Sequence, residues 1–293
     1  MKKLLITGAS GFLGWNIIQR TKSDWETFGT FLSHPIKISG CTLFQVDLTQ
    51  YNNLKQLFNH IKPNAVIHTA AITDPNFCQQ NKSESYKINT EASINIAGLC
   101  SDINIPCLFT SSDLVFDGLN PPYREDDQVS PVNVYGEQKV LAELGMKERY
   151  PSTVICRMPL MYGDSGPVAN SFIQPLIRAM KSGTEVNLFI DEYRTPVSGK
   201  DAAKGLIIIL NKLPGIIHLG GPERISRYDF GQLLVEVFRF SDVVLNPRRQ
   251  KDHNMPAPRP PDISFDSSKA RALGFKPNSL KTELKRLRNA IGV

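Results

Sequence analysis

The sequence has no apolar stretch approaching the roughly 20 residues that span a bilayer. Its start, Met1-Lys2-Lys3 before Leu4-Leu5-Ile6, has the basic lead of an export signal, but Thr7-Gly8-Ala9-Ser10-Gly11 ends the apolar run before an export core can form. No membrane association is expected, and the expected compartment is the cytoplasm. Cysteine is sparse: Cys41, Cys78, Cys100, Cys107 and Cys156 are odd in number, widely spaced and free of any Cys-x-x-Cys pair. The five histidines do not cluster with them. A disulfide framework is thereby excluded and no zinc-ligand spacing remains, so the thiols read as small buried apolar groups and no metal site is expected. Internal repeats and low-complexity tracts are also missing. At 41% apolar and 21% charged residues the composition is that of a globular protein. A chain of 293 residues suffices for one large domain or one and a half.

The net charge of +6 is unevenly placed. From Arg248 onward eleven Lys or Arg oppose four acids, leaving the rest near neutral. Either this basic end attracts a phosphorylated substrate, or it is a solvated basic helix around Lys281, Lys285 and Arg288. A nucleic-acid surface would interleave aromatics with the basic residues, and none follows Lys281, so no nucleic-acid partner is expected.

Short apolar runs alternate with amphipathic stretches over the first two-thirds. Strands are predicted at Lys3–Thr7, Thr27–Leu32, Thr42–Val46, Ala65–His68, Cys107–Thr110 and Thr153–Cys156. Helices are predicted at Phe12–Lys22, Asn53–Ile61, Ser85–Asn104 and Asn133–Arg149. Lys62-Pro63 and Ile105-Pro106 each stop a helix just before a strand, because proline disfavours the helical region for its predecessor. The alternation implies an α/β fold of the Rossmann type, a doubly wound parallel sheet. After Pro159 proline and glycine become frequent, and helices are predicted at Ala169–Lys181, Gly199–Asn211, Ser226–Phe238 and Leu280–Ala290. The expected organisation is a dinucleotide-binding domain over residues 1–162, with a return segment near 185–220, and a smaller substrate-binding lobe over 163–293.

Thr7-Gly8-Ala9-Ser10-Gly11-Phe12-Leu13-Gly14 follows the first strand and opens the first helix. Gly8 permits the tight turn, Gly11 lets a pyrophosphate approach the backbone, and Gly14 lets helix and strand pack closely. The helix start adds free N–H groups and a positive dipole end. The candidate cofactor contacts are Gly8, Ser10, Gly11, Phe12, Leu13 and Gly14. A ribose-binding carboxylate is expected at the end of the second strand, yet that strand ends Phe31-Leu32-Ser33-His34. Ser33 and His34, with Lys37 nearby, accommodate a 2′-phosphate better, which favours NADP over NAD. Asp47-Leu48 after the third strand could meet the adenine amino group, or Asp47 could cap the following helix. Ala70-Ala71-Ile72 after the fourth strand is small enough for close backbone approach.

Tyr135-Gly136-Glu137-Gln138-Lys139 lies in a helical pattern, so its tyrosine and lysine share one face. Thr110-Ser111-Ser112-Asp113 ends the fifth strand at the carboxyl edge, where such sheets place ligands. A hydroxyl, a phenol and an ammonium gathered there suit carbonyl reduction. Tyr135 would give its proton to the carbonyl oxygen, Ser112 would hold that oxygen, and Lys139 would stabilise the phenolate. Lowering a phenol from about 10 to about 7 takes roughly 4 kcal/mol, within reach of a buried ammonium at about 6 Å plus a positive nicotinamide ring.

With these motifs the chain resembles, from end to end, the extended short-chain dehydrogenase/reductase family, and within it the dTDP-4-dehydrorhamnose reductase-like branch. The resemblance rests on Thr7 to Gly14, Asp47-Leu48, Ala70-Ala71, Ser111 to Gly118, Pro131 to Lys139 and Arg157 to Gly163. Arg259-Pro260-Pro261-Asp262 and Lys269 to Phe275 extend it. It implies Ser112, Tyr135 and Lys139 as the catalytic set, Asn89 as a residue ordering the lysine through water, and Pro159 beside the nicotinamide. It further implies that Asp113 and Phe116 face the reacting sugar. The branch usually has threonine where Ser112 stands. The family's sugar dehydratases carry an acidic pair after that residue. Here the pair is Asp113-Leu114, and leucine cannot abstract the proton that water elimination requires.

Asp191-Glu192-Tyr193-Arg194-Thr195 occupies the stretch of a substrate-lobe loop in that branch. Arg194 either forks onto a diphosphate or pairs internally with Asp191 or Glu192. Arg227 and Arg259 are further substrate candidates. Gly118–Gln128, with Tyr123 and three acids from Glu125, reads as a surface flap rather than a metal site. The sequence leaves three functions standing. One is an NADP- or NAD-dependent reductase of a nucleotide-linked 4-keto-deoxy sugar. Another is a nucleotide-sugar epimerase of the same fold. The third is a non-catalytic NADP-binding subunit, since this branch also resembles the regulatory subunit of methionine adenosyltransferase. The expected partner is a small-molecule substrate, with a homodimer possible from the fold.

Overall fold

The computed structural model describes residues 1–34, 36–210, 212 and 214–291. Six strands fall within two residues of their predicted ends: β1 (Lys3–Thr7), β2 (Glu26–Phe31), β3 (Cys41–Gln45), β4 (Ala65–His68), β5 (Cys107–Ser112) and β6 (Val154–Met158). A seventh, Gly215–His218, joins the edge beside β6. The order is Gly215–His218, β6, β5, β4, β1, β2, β3, and every pairing is parallel. β4 and β6 are buried along their whole length, which is why their sequences do not alternate between apolar and polar residues. From β1 the chain winds outward to β2 and β3, then returns to β4 and winds the other way. The crevice between the carboxyl ends of β1 and β4 is thus the topological switch point, where doubly wound sheets hold ligands.

Each face of the sheet has its own apolar core. On one side lie α1 (Phe12–Thr21) and the helix Gly199–Ile209, with Ile17, Ile18, Leu206 and Ile209 buried. On the other lie Tyr51–Ile61, Ala92–Asp102 and Val134–Arg149, burying Leu54, Phe58, Ile96 and Met146. Asn211, the predicted end of a helix, lies outside the described residues. The helix predicted as one piece over Ser85–Asn104 is interrupted: Lys82–Tyr86 and Ala92–Asp102 flank a π-helical turn at Lys87–Glu91. Such turns mark places where a side chain is re-aimed, and this one carries Asn89. A helix at Pro75–Gln80 gave no periodic signal because it is six residues long. Asp74 caps it by accepting from the Asn76 N–H at 2.9 Å, with proline in its first turn.

The second lobe is built on Ile173, Phe230, Leu234, Leu280 and Leu284, beside the parallel pair Val186–Phe189 and Leu245–Arg248. The C-terminal helix Leu280–Ala290 turns its leucines inward, while Lys281 reaches Glu236 at 2.7 Å and Arg288 donates to the Val237 carbonyl at 3.1 Å. Of the two readings of the basic end, the solvated helix is the one this arrangement matches. Between Arg248 and that helix the chain crosses to the large lobe, since Ile263 and Phe265 pack with Val115 and Phe116, and Ala270 and Phe275 join the α1 core. Among the described residues no helix is long and apolar enough to cross a membrane.

Candidate active site

A cleft of about 790 Å³ opens at the switch point between the lobes. Its floor is the glycine loop. Gly8 has φ +70°, and a Cβ there would lie 2.9 Å from the Ala70 backbone. A Cβ on Gly14 would lie 2.2 Å from the Gly8 carbonyl oxygen, so both positions exclude a side chain. The first turn of α1 has no side-chain cap and no acidic residue. Phe12, Leu13 and Gly14 of that turn line the cleft, a ready anion site that fits a dinucleotide pyrophosphate.

The other candidate cofactor residues follow round the wall. Ser10, Gly11, Phe12, Leu13, Ser33, His34, Asp47, Leu48, Ala70, Ala71, Ile72 and Pro159 all line the cleft, whereas Lys37 does not. Ser33 and His34 hydrogen-bond each other at 3.0 Å. Asp47 Oδ1 accepts from the Thr49 N–H at 2.9 Å and its hydroxyl at 2.7 Å, so Asp47 closes a turn ahead of the helix, whose N-cap is Gln50. Beneath the floor runs a buried chain that sequence reading missed. Thr7 Oγ1 accepts from the Thr69 and Ala70 N–H groups, so its own proton goes to His68 Nδ1 at 2.6 Å. His68 Nε2 then donates to Ser93 Oγ at 2.9 Å, which donates to the Asn89 carbonyl at 2.8 Å. Burial, with Lys139 assisting, pulls the imidazole down to about 3, so it is neutral as this chain requires.

Ser112, Tyr135 and Lys139 converge on the same cleft, from the end of β5 and the first turns of Val134–Arg149. Asn133 caps that helix by accepting from the Gly136 N–H at 2.9 Å, and Gly136 lets the helix touch the Leu114 carbonyl, where a Cβ would lie 2.1 Å away. Lys139 Nζ donates to the Thr110 carbonyl at 3.0 Å and lies 4.4 Å from the Phe109 ring centroid and 5.8 Å from that of Tyr135. Burial pulls the ammonium down to about 7. The phenol moves oppositely to expectation: burial first, then the charge of Asp113, push Tyr135 above its ordinary value, against a hydrogen bond with Ser112. The polypeptide by itself therefore keeps Tyr135 protonated. That is the form a proton donor needs.

Asp113 is buried beside them. Ser112 Oγ donates to its Oδ1 at 3.1 Å, while Oδ2 has no hydrogen bond and lies 3.7 Å from Arg194 Nε. Burial raises this carboxyl to about 6 against the pull of Arg194. Arg194 is itself buried, and its Nη2 lies 3.2 Å from Glu192, which also meets Arg227 at 2.8 Å. The internal pair is thus with Glu192 and Asp113, not Asp191, which accepts from the Gln250 N–H. For Glu192 burial is the largest single influence, but Arg227 and Arg194 together outweigh it and hold the carboxyl below its ordinary value. Arg259 also lines the cleft, donating to the Ala257 carbonyl at 2.9 Å and Asn76 Oδ1 at 3.1 Å. Among the described residues no carboxylate pairs with Arg259.

Two expectations need correction. Phe116 does not face the cleft: it is fully buried, stacked on Tyr123 at 4.1 Å and edge-on to Phe265 and His218. The resemblance implied that it faces the sugar, but the returning segment with Ile263 and Phe265 covers it. The side chain of Asn89, expected to order the lysine through water, has partners of its own. The π-helical turn aims it at Ile72, whose N–H it accepts at 2.9 Å and whose carbonyl it meets at 3.1 Å, with Gln138 at 3.0 Å. It fixes the Ala71–Ile72 wall instead. Gly118–Gln128 is not a free flap, since the Tyr123 hydroxyl donates to Asp117 at 2.6 Å and Glu125 accepts from the His218 N–H at 2.9 Å.

A family model for the RmlD substrate binding domain matches residues 1–292. The chain belongs to the RmlD substrate binding domain family. Relatives of this RmlD-family chain include methionine adenosyltransferase 2 subunit beta of Xenopus laevis, 28% identical over 94% of this chain and 83% of that one. Another is the probable low-salt glycan biosynthesis reductase Agl14 of Haloferax volcanii, 28% identical over 97% of each. Among solved structures, a hypothetical dTDP-4-dehydrorhamnose reductase from Sulfolobus tokodaii matches at 31% identity and TM-score 0.81, over 93% of this chain and 94% of that one. The fold is also that of dTDP-4-dehydrorhamnose reductase from Bacillus anthracis in complex with NADP, at 24% identity and TM-score 0.88 over all of both chains. Membership in the family and the uncapped glycine-loop helix together support a nicotinamide dinucleotide as cofactor.

Proposed function

We propose that this RmlD-family protein is an oxidoreductase that reduces a carbonyl on a nucleotide-linked 4-keto-deoxy sugar, with NADPH preferred over NADH. The observation that carries the reading is the convergence of Ser112, Tyr135 and Lys139 on the floor of the cleft that holds the uncapped glycine-loop helix. The N–H groups of Phe12 and Leu13 would hold the pyrophosphate, Ser33 and His34 the adenosine 2′-phosphate, and Ala70, Ala71, Ile72 and Pro159 the nicotinamide side. No carboxylate stands at the end of β2 to repel that phosphate, which supports NADP. When bound, the cofactor supplies a hydride to the carbonyl carbon.

The chain's own residues do the rest. Ser112 holds the carbonyl oxygen, Tyr135 donates its proton to it, and the Lys139 ammonium stabilises the phenolate until solvent returns the proton. Asp113 Oδ2, buried with no hydrogen-bond partner among the described residues, would accept a sugar hydroxyl. Arg259, with Arg227 behind it, faces the cleft where a substrate diphosphate would lie.

Mixing the protein with NADPH and a panel of nucleotide-linked keto sugars should give stoichiometric loss of nicotinamide absorbance. Tyr135→Phe should lower that rate by about 10²–10⁴-fold while NADPH still binds. Sugar interconversion without net oxidation would instead identify an epimerase. The relation to methionine adenosyltransferase 2 subunit beta favours one other reading, a dinucleotide-binding subunit. NADPH binding with no turnover on any keto sugar, and capture of a partner enzyme, would establish that one.

A further inference from the structure

The helix Val134–Arg149 carries Tyr135, Lys139 and Glu143 at intervals of four, all three buried. Glu143 has no part in the steps above. A carboxylate so far from water persists only when paired. Arg157, on β6, supplies the pairing: its Nε donates to Oε1 at 3.0 Å and its Nη2 to Oε2 at 2.8 Å. The pair is oriented. The guanidinium lies 5.1 Å from the Phe116 ring centroid, with Nη1 3.4 Å from His218 Nε2. Glu143 follows Lys139, as Lys139 follows Tyr135, by one turn on the same buried face of the helix.

Lys139 depends on this arrangement because little else around it is negative. Among the described residues no carboxylate forms an ion pair with it, and its one hydrogen bond goes to the Thr110 carbonyl. From β4 it meets the neutral His68, from β5 the Phe109 ring, and from the helix Pro75–Gln80 the Cys78 thiol, itself raised chiefly by burial. Asp113 acts on Tyr135 instead. We propose that Glu143, gripped by Arg157, is a positioning residue that keeps Lys139 an ammonium and holds it beside the Tyr135 ring. The proposal rests on Lys139 being the partner of the phenol. In support, burial pulls Lys139 down, and Glu143 is the largest influence opposing it.

The test reads Lys139 directly, without cofactor or substrate. Protein labelled at lysine is titrated by NMR, and the Lys139 signal is assigned by its loss in Lys139→Met. Glu143→Gln alone would strand the Arg157 guanidinium, so the main variant is Glu143→Gln with Arg157→Gln, which keeps an amide contact and removes both charges. Its Lys139 midpoint should fall by a few tenths of a pH unit up to about one, because losing the carboxylate one helical turn away is partly offset by losing the Arg157 cation beyond it. Glu143→Asp, which withdraws the carboxylate by one methylene, should lower the midpoint less and serves if the double variant does not fold. In turnover assays the alkaline limb of kcat should move to lower pH by the same amount. A pair that is merely structural would lower Tm and leave the midpoint in place, and that result overturns the proposal. A displaced midpoint in a protein that reduces no carbonyl would uphold it and sink the reductase reading.

Discussion

Asparagine at position 113 should stabilise this protein near neutral pH, and by an amount that vanishes in acid. Asp113 is buried, and burial raises its carboxyl from 3.8 to about 6 despite Arg194 and Ser112. In the unfolded chain the ordinary value returns. Between pH ~4 and ~6 the native chain therefore retains a proton that the unfolded chain has released. Stability falls as pH rises through that window, and the loss is complete above it. Asparagine cannot ionise, and its Oδ1 still accepts from Ser112, so it mimics the protonated acid. Each tenfold change in proton affinity is worth about 1.36 kcal/mol, so Asp113→Asn should gain about 3 kcal/mol at pH ~7 and nothing at pH ~4. For a chain of this size that is roughly 6 °C in Tm. Thermal unfolding of both proteins across pH ~4 to ~8 measures it. A variant no more stable than the parent at pH ~7, or a gap that stays constant as the pH falls, would refute the reasoning. The same variant should turn over substrate more slowly, because with Oδ1 on Ser112 the amide presents an NH2 donor where Oδ2 would accept a sugar hydroxyl.

Two other substitutions probe the two ends of the cleft. Gly14→Ala puts a methyl group 2.2 Å from the Gly8 carbonyl oxygen, so α1 must shift from β1; a loss of about 2–3 kcal/mol in chemical denaturation and weaker NADPH binding are expected. Arg259→Met removes a guanidinium that no carboxylate pairs with among the described residues. It should raise KM for a nucleotide-linked substrate by about 10–100-fold with little change in kcat, and unaltered KM would remove Arg259 from the diphosphate site.

What the sequence reveals and what it hides follow one physical division. Local signals carried the sheet: the six strands are short apolar runs between turn residues, and their periodicity survives in the structure within two residues. The glycine loop and the Tyr135–Lys139 spacing are likewise local, so the cleft could be located from the chain's own pattern. Gly215–His218 escaped notice because an edge strand of four residues leaves almost no pattern, and only its pairing with β6 makes it a strand. The π-helical turn at Lys87–Glu91 was hidden because one extra residue per turn barely disturbs a helical pattern over twenty positions. That single shift aims the Asn89 side chain at the Ile72 backbone.

The charged residues obey the same division at longer range. Asp113 and Arg194 are 81 positions apart, and Glu143 and Arg157 approach only because a helix and β6 run side by side. Spacing could propose Arg194 as a phosphate ligand, but only the folded chain shows its charge already shared between Glu192 and Asp113. Buried charge is costly, so a chain retains it where its removal would cost function. Three of the buried carboxylates divide by the strength of their partners. Glu192 and Glu143 are each gripped by guanidinium groups, whereas Asp113 is left with an unbonded oxygen and a raised carboxyl. The least satisfied of the three is the one nearest Ser112 and Tyr135, as a site shaped to receive a hydroxyl-bearing substrate requires.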